Sequence, residues 1–499
     1  MSGSGAAPVR YLLDRSWRRP GDGTVVVAGS PLRLFRLSTG GAQVVAMVEA
    51  GEAPDTAAIR QLLDRFVDAG ALHPVHGHGP FTAADVTVVI PSYGPLSTEL
   101  LAQLRALLPP DVPTIVVDDA TPSANFSSPR APHSSKPEPE PEADATLENA
   151  VHVMAPPPPT VIRHDVNRGP AAARNTGLAA VATPLVLFLD TDVSLPSSTA
   201  DGQPGAGWLQ TLLAHFADDR VALVAPRVAG APGPSWLAGY ERRHSPLDLG
   251  DQPARVAAGT RVSYVPAAAL LCRTEAIRSL GGFDPVMRLG EDVDLVWRLS
   301  AAGHRCRYEP AVVAHHRPRA GLGEWLRQRF GYGRSAAALA RRHPGALSPV
   351  RLSGWSALVW ALVVARRPAV AAGVAAGTVV ALRRKLADLP ASESLRLVGL
   401  GHLAAGRQLA EAVTRVWWPL ALVAAAVSRR ARLPVLAAFV APSLLDAVAG
   451  RSTQPLADAP LLLAEQMAYG AGVWTGVVQE REAGPLLPEL TTWPKRGGG

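Results

Sequence analysis

Cysteine is nearly absent: the 499-residue chain has two, Cys272 and Cys306, too few for a disulfide framework or a four-cysteine zinc site. No basic-then-apolar leader opens residues 1–30, which are polar and Arg-rich, so secretion is not expected. No repeat period is present. Long apolar runs are missing as well. The longest, at 368–382, covers 15 residues, short of the roughly 18 that span a bilayer comfortably. Charge is close to balanced, with 49 Lys and Arg against 42 Asp and Glu. The net +7 suits anionic partners in general: nucleotide phosphates, acidic lipid heads or nucleic acid. What is abundant is core-forming material, 47 % hydrophobic residues with 18 % charged, which excludes global disorder. The length allows about two to four folded units. An intracellular, multi-domain enzyme is the expectation.

Residues 10–80 read as a small unit. A strand at 24–28 precedes SPLRLFRLS and two helical patterns, around 42–49 and 55–69, the second closed by Gly70. Ile59, Leu62, Leu63, Phe66 and Val67 fall on one face of a 3.6-residue period. The pattern is that of a winged-helix-like module, for peptide recognition or as a packing appendage. The helix at 55–69 is too acidic for DNA, and no nucleic-acid partner is expected.

From residue 85 to about 345 the pattern is α/β. VTVVIP at 86–91 is the near-continuous apolar strand of a buried parallel sheet; a helix at 96–108 and a strand at 113–118 complete a βαβ unit. Residues 121–160 interrupt it with ten prolines and one aromatic, Phe126, a composition that reads as a disordered insertion. Further strands are expected around 185–189 and at 220–228. The C-terminal region, 346–482, is rich in Ala, Val and Leu, with apolar runs at 355–365, 368–382, 416–428 and 433–445. Arg pairs 366–367 and 383–384 bracket one run at both ends, without positive-inside asymmetry. Helices lying on the cytoplasmic leaflet, or re-entrant hairpins, compete with a buried soluble bundle.

Five segments carry chemistry. FLDTDV, at 188–193, ends an apolar strand in Asp190 and Asp192, which can share Mg²⁺ or Mn²⁺ with a diphosphate; a solvated loop is the plain alternative. Asp118 and Asp119 also end a strand, able to accept from a base or ribose, or to cap a turn. NRGPAAARNTGL, at 167–178, starts a helix after Gly169 and presents Arg174 and Asn175, either toward a diphosphate or as an ordinary connector. LGEDVDLVWRLSAAGH, at 289–304, gathers Glu291, Asp292 and Asp294 at a helix start, where the dipole favours carboxylates in any case. Trp297 and Leu299 read as core. Within VVAHHRPR, one imidazole of His315–His316 could complete a metal shell or remain structural, with His315 the expected ligand.

In this order the segments resemble inverting family-2 glycosyltransferases of GT-A fold, over about residues 85–320. The resemblance implies a nucleotide-sugar donor, with Pro91, Asp118, Asp119, Arg168, Arg174, Asn175, Asp190 and Glu291 in substrate binding. It implies Asp190, Asp192 and His315 on a divalent metal, and Asp292 as catalytic base. A Gln-x-x-Arg-Trp motif is absent, which disfavours a processive polymer synthase. FGYGRSAAALARRHPG at 330–345, SPLRLFRLS and LLDRFVDAGALHP near the start, and the apolar tail are similar to glycosyltransferases of mycofactocin systems. That likeness implies transfer of glucose from UDP-glucose to the peptide-derived redox cofactor mycofactocin or its precursor, at the cytoplasmic face of the membrane. A lipid or cell-envelope polysaccharide is the alternative acceptor. Outside this class stand a nucleotidyltransferase, which would release pyrophosphate instead of UDP, and a non-catalytic peptide-binding protein.

Overall fold

The computed structural model describes residues 9–52, 56–94, 112–122, 159–196, 207–319, 321–448 and 454–492. The helix expected at 96–108 and most of the segment at 121–160 lie outside them.

The first unit comprises strands β1 (Arg10–Leu13), β2 (Val25–Ala28), β3 (Arg33–Arg36) and β4 (Leu72–Val75) with helices α1 (Thr39–Glu49) and α2 (Ala57–Asp68). Strand β2 pairs with β3 and β1 with β4, both antiparallel. Ser38 and Thr56 cap the helices by accepting N–H bonds from Gly41 and Ile59. Gly70 leaves α2 at φ +68, a conformation glycine adopts without strain. Helix α2 turns Leu63, Phe66 and Val67 inward, where Phe66 packs on Phe35 and Trp17 with ring centroids 4.6 and 5.3 Å away. Arg305, from the next unit, fastens α2 by donating to Asp64 and Asp68 at 2.7 and 2.8 Å.

The second unit is built on β5 (Val86–Ser92), β6 (Thr114–Asp118), β7 (Thr160–Arg163), β8 (Leu185–Leu189), β9 (Val193–Ser194), β10 (Val221–Gly230), β11 (Ala254–Arg255), β12 (Ala269–Arg273) and β13 (Arg305–His316). Helices α3 (Pro170–Ala180), α4 (Gly207–Ala214), α5 (Trp236–His244), α6 (Thr274–Ser279) and α7 (Glu291–Ala301) cover it. The strand order is β11-β13-β10-β12-β8-β5-β6-β7, with β9 attached to β13. Strands β7, β6, β5 and β8 run parallel, while β12 opposes both β8 and β10. Every residue of β8 is buried. Val186 and Phe188 join Leu295 and Trp297 on one face; Leu185, Leu187 and Leu189 join Trp208 and Leu212 on the other. Two covered faces are why this strand reads as an unbroken apolar run. Trp297 and Leu299 are core residues, as the sequence suggested. Cys272 and Cys306 flank Leu223 from either side, buried, and burial pushes both thiols up, away from reactivity.

Helix α8 (Leu322–Arg342) closes the second unit, and the C-terminal region follows with α9 (Gly354–Val364), α10 (Pro368–Lys385), α11 (Ala391–Arg415), α12 (Trp418–Val427), α13 (Arg429–Val448) and α14 (Pro455–Glu480). The four apolar runs of the sequence fall in α9, α10, α12 and α13. Among the described residues no single helix is long and apolar enough to cross a membrane; α11 and α12, bent by 87°, pass that test only as a pair. Helices α8 and α14 cross at glycine. A Cβ at Gly333 would overlap the Tyr469 carbonyl, and one at Gly472 the Phe330 carbonyl. Gly333 of FGYGR, at 330–334, therefore serves a helix crossing, while Gly331 faces Leu289.

Candidate active site

Asp190 follows β8, and its N–H donates to the Ala268 carbonyl at 3.0 Å. Arg174, only 3 % exposed on α3, donates to Asp190 Oδ1 and to Glu291 Oε1, both at 2.7 Å. Gly290, left-handed at φ +82, starts α7 without a side-chain cap, so its first turn begins directly with Glu291 and Asp292. Asp292 accepts from the Val293 N–H at 2.8 Å and from the Ala267 N–H at 3.1 Å. Ala267 adjoins Ala268. The five groups thus close a ring: Asp190, Arg174, Glu291, Asp292 and the 267–268 backbone.

Charge follows from this enclosure. Burial alone would lower the Arg174 pKa, but Asp190 and Glu291 reverse that and hold the guanidinium protonated. Burial, reinforced by the Asp292 charge, pushes Glu291 up to about 7 in spite of Arg174. Burial also raises Asp292, with the Ala267 N–H and Arg174 opposing it. A carboxylate raised in this way is a better base for an alcohol than an exposed aspartate.

Asp192 lies two residues beyond Asp190, its backbone carbonyl accepting the Arg317 N–H at 2.9 Å. The imidazole beside it belongs to His316, at 3.2 Å, with Arg319 at 3.8 Å. This corrects the expectation for His315. In β13 successive side chains face opposite ways, so only one of the pair can meet Asp192. His315 aligns with Ser194 and His316 with Val193, and His316 is the buried one. Burial would raise Asp192; the His316 bond and charge bring it below the ordinary range. The hard oxygen donors of Asp190 and Asp192 fit a divalent cation. Among the described residues, however, no three His, Cys, Asp or Glu side chains form a metal cluster. These residues therefore fit a cation that draws part of its shell from a ligand.

The other expected binding residues serve as scaffold. Asp118, wholly buried, accepts the Thr121 N–H at 2.9 Å and pairs with Arg163 at 3.0 Å. Asp119, 3 % exposed, accepts the Arg168 N–H and Gly169 N–H at 2.8 and 2.7 Å and bonds His164 at 2.8 Å. Internal donors thus fill Asp119, while Asp118 Oδ2 is paired with Arg163 by charge and has no hydrogen bond among the described residues. Arg168 takes part through its backbone, its side chain exposed. Asn175 locks the GGFD loop through two bonds to the Phe283 backbone, at 2.6 and 2.9 Å. Arg174 is likewise committed to carboxylates. Pro91 is the last residue but one of β5, aligned with Val117. Asp294, buried, bonds Arg298 and His343 and ties α7 to the end of α8.

A family model described as glycosyl transferase family 2 matches residues 141–280. The pre-mycofactocin glycosyltransferases of Mycobacterium tuberculosis, strains CDC 1551 / Oshkosh and ATCC 25618 / H37Rv, are each 38 % identical over 496 residues, covering 96 % of this chain and 97 % of theirs. The chain belongs to the pre-mycofactocin glycosyltransferase family. It is a glycosyltransferase. The succinoglycan biosynthesis protein ExoA of Rhizobium meliloti is 33 % identical over 105 residues, 19 % of this chain and 32 % of that protein. Among solved structures, the mannosyltransferase PcManGT from Pyrobaculum calidifontis, in complex with GDP-Man and Mn²⁺, aligns at TM-score 0.41 and 14 % identity over 81 % of this chain and 90 % of that one.

In this glycosyltransferase, sequence reasoning missed the groups that reach the carboxylates from a distance. These are the Ala267 N–H, Arg319, and His316, which the sequence offered only as one of the His315–His316 pair. The half-buried Tyr264 and Tyr332 stand in the same region, their hydroxyl pKa values raised by burial with the Asp292 charge adding to the shift. Alternation along β13 would have separated His316 from His315; nothing local marks Ala267.

Proposed function

We propose that the chain transfers a hexose, glucose in the reading the family likeness favours, from a UDP-sugar to mycofactocin's precursor, with inversion and on a GT-A fold. The observation that carries this is the closed ring of Asp190, Arg174, Glu291 and Asp292 at the end of β8. Asp190 and Asp192 would hold Mg²⁺ or Mn²⁺ together with the diphosphate. That cation supplies Lewis-acid stabilisation of the negative charge on the leaving UDP. Asp292 takes the proton of the acceptor hydroxyl as its oxygen attacks the anomeric carbon from the face opposite the departing phosphate. Two backbone N–H bonds orient the Asp292 carboxylate, and its raised pKa suits proton transfer late in bond formation. Arg174 keeps Asp190 and Glu291 in place.

The acceptor reading rests on 38 % identity across 96 % of the chain to proteins named for pre-mycofactocin. Uncovered Val423, Val427, Leu433 and Leu436 beside Arg429, Arg430 and Arg432 support action at the cytoplasmic face of a membrane. The same surface is the one observation favouring a lipid or cell-envelope polysaccharide acceptor. The test is incubation with Mn²⁺, a UDP-sugar panel, pre-mycofactocin and a lipid acceptor, with products weighed and their anomeric configuration read by NMR. Hexose on pre-mycofactocin in the inverted configuration is the expected result; transfer to the lipid alone would overturn the acceptor, and retention the mechanism.

A further inference from the structure

Beyond the ring, Arg307 on β13 combines burial with want of partners: it is 3 % exposed, and among the described residues neither its Nη1 nor its Nη2 finds a hydrogen bond. The period of two places Arg305, Arg307 and Glu309 on one face of the strand, and Arg305 shows that this face meets α2. The carboxylates in reach are already committed. Asp68 and Asp218 accept from Arg305 at 2.8 and 2.6 Å. Glu309 bonds His215 at 2.9 Å and the Ala311 N–H at 3.0 Å, and Asp14 bonds His73 at 3.1 Å. Burial, with repulsion from Arg305, lowers the Arg307 pKa to about 10, so it remains a cation at neutral pH. An enclosed guanidinium without a counter-charge is costly unless something completes it.

Arg307 and His73 line a cavity of about 240 Å³ between the first unit and β13, with Leu12, Val75, Pro253 and Ala311 supplying apolar wall. Its rim is the irregularity of β13 where Pro226 faces Glu309 and the next residue, Arg227, faces Val313. The volume lies below the roughly 300 Å³ at which drug-sized pockets begin, too small for a nucleotide sugar. His316, which touches Asp192, aligns with Gly230 while Arg307 aligns with Val224, six positions apart on β10, so the two lie about 20 Å apart at 3.3 Å per residue.

We infer that this cavity is a second ligand site, taking a small carboxylic acid with an apolar body whose carboxylate bonds both Nη groups of Arg307. The planar guanidinium fork matches a carboxylate bidentately. Apolar walls favour such an acid over a strongly hydrated dianion, and Asp251 at the exposed mouth repels extra negative charge. The site goes beyond the proposed transfer reaction and stands or falls without it.

The experiment titrates the full-length protein, by calorimetry and thermal unfolding, with 3-phenylpropanoate, with its uncharged amide, with inorganic phosphate, and with UDP. Saturable binding of the acid with a raised melting temperature is expected, together with at least tenfold weaker binding of the amide and of phosphate. Arg307→Met should weaken the acid tenfold or more. Ala311→Trp, an exposed rim change that leaves Arg307 in place, should do the same and keeps the test open if Arg307→Met does not fold. Asp190→Asn should weaken UDP and leave the acid unchanged. No saturable acid binding, equal binding of acid and amide, preference for phosphate, or retention of the acid by a folded Arg307→Met or Ala311→Trp protein would each overturn the site.

Discussion

Two acidic pairs end strands β6 and β8, with only β5 between them in the sheet, and they meet different fates. Asp119 is engaged by two backbone amides and an imidazole, and fixes the loop that starts α3. Asp190 is engaged by one guanidinium, and its side chain keeps 30 % of its surface open. At Asp119 three internal donors fill a carboxylate that is almost fully buried, whereas at Asp190 one donor positions the group and leaves an oxygen for something else. Asp292, held by two backbone amides and only half-buried, shows that the kind of donor alone does not decide. The number of internal donors and the surface left open, more than the motif, separate scaffold from chemistry here.

The largest test of that contrast is Asp292→Asn, which keeps shape and removes the base. Transfer should fall by about 10² to 10⁴ while UDP-sugar affinity, read by calorimetry, stays within about threefold. If affinity collapses equally, Asp292 belongs with Asp119 among the scaffold groups. The sign with pH follows from the raised pKa: only the ionised carboxylate accepts a proton, so activity is lost as pH falls through a value above the ordinary 3.8. An acid limb of the rate profile at or below 3.8 would contradict the buried setting of Asp292.

Next comes Asp119→Ala, which strands the amides of Arg168 and Gly169. Bonds to a charged acceptor contribute roughly 1.5–3 kcal/mol each, so a loss of about 3 kcal/mol in urea unfolding is expected. Asp192→Ala should cost less, about 1 kcal/mol, since its side chain is partly open and Arg319 reaches solvent, leaving only His316 buried beside it, and yet lower transfer strongly. Equal stability losses at the two positions would erase the distinction between them.

Much of this arrangement was open to sequence reading. The strands at VTVVIP and FLDTDV were legible because both faces of the sheet are covered, and Asp190, Glu291 and Asp292, which the fold brings together, could be singled out because strand ends and helix starts leave local marks. The pairing of Arg174 with two carboxylates was not legible: Asp190 and Glu291 lie 16 and 117 residues from it, and only the folded sheet brings them together. The internal partners of Asp118 and Asp119 were hidden for the converse reason, since a strand-end aspartate looks the same in sequence whether water or a backbone amide awaits it. The FGYGR segment was noticed through family likeness, while its physical cause is a helix crossing that needs α14, over a hundred residues on. Gly472→Ala should therefore cost about 1–3 kcal/mol by overpacking. Gly373→Ala on α10, where a Cβ meets nothing within 4 Å, should stabilise by about 0.5–1 kcal/mol.

The smallest expected difference lies between two adjacent histidines. His316 lies 3.2 Å from Asp192 and is buried; His315 faces the other way along β13. His316→Ala removes the group that holds Asp192 below its ordinary pKa, so this carboxylate should titrate higher and present less charge at the mouth. Transfer should drop several-fold, most at the acidic end of the profile, because there a larger share of Asp192 becomes protonated. His315→Ala should leave the rate within about twofold at every pH, since the bond that His315 contributes to β9 runs through its backbone carbonyl. Equal effects from the two changes would mean that strand integrity, and not the Asp192 charge, is what His316 maintains, and would return the β9–β13 pairing to scaffold alongside the Asp119 loop.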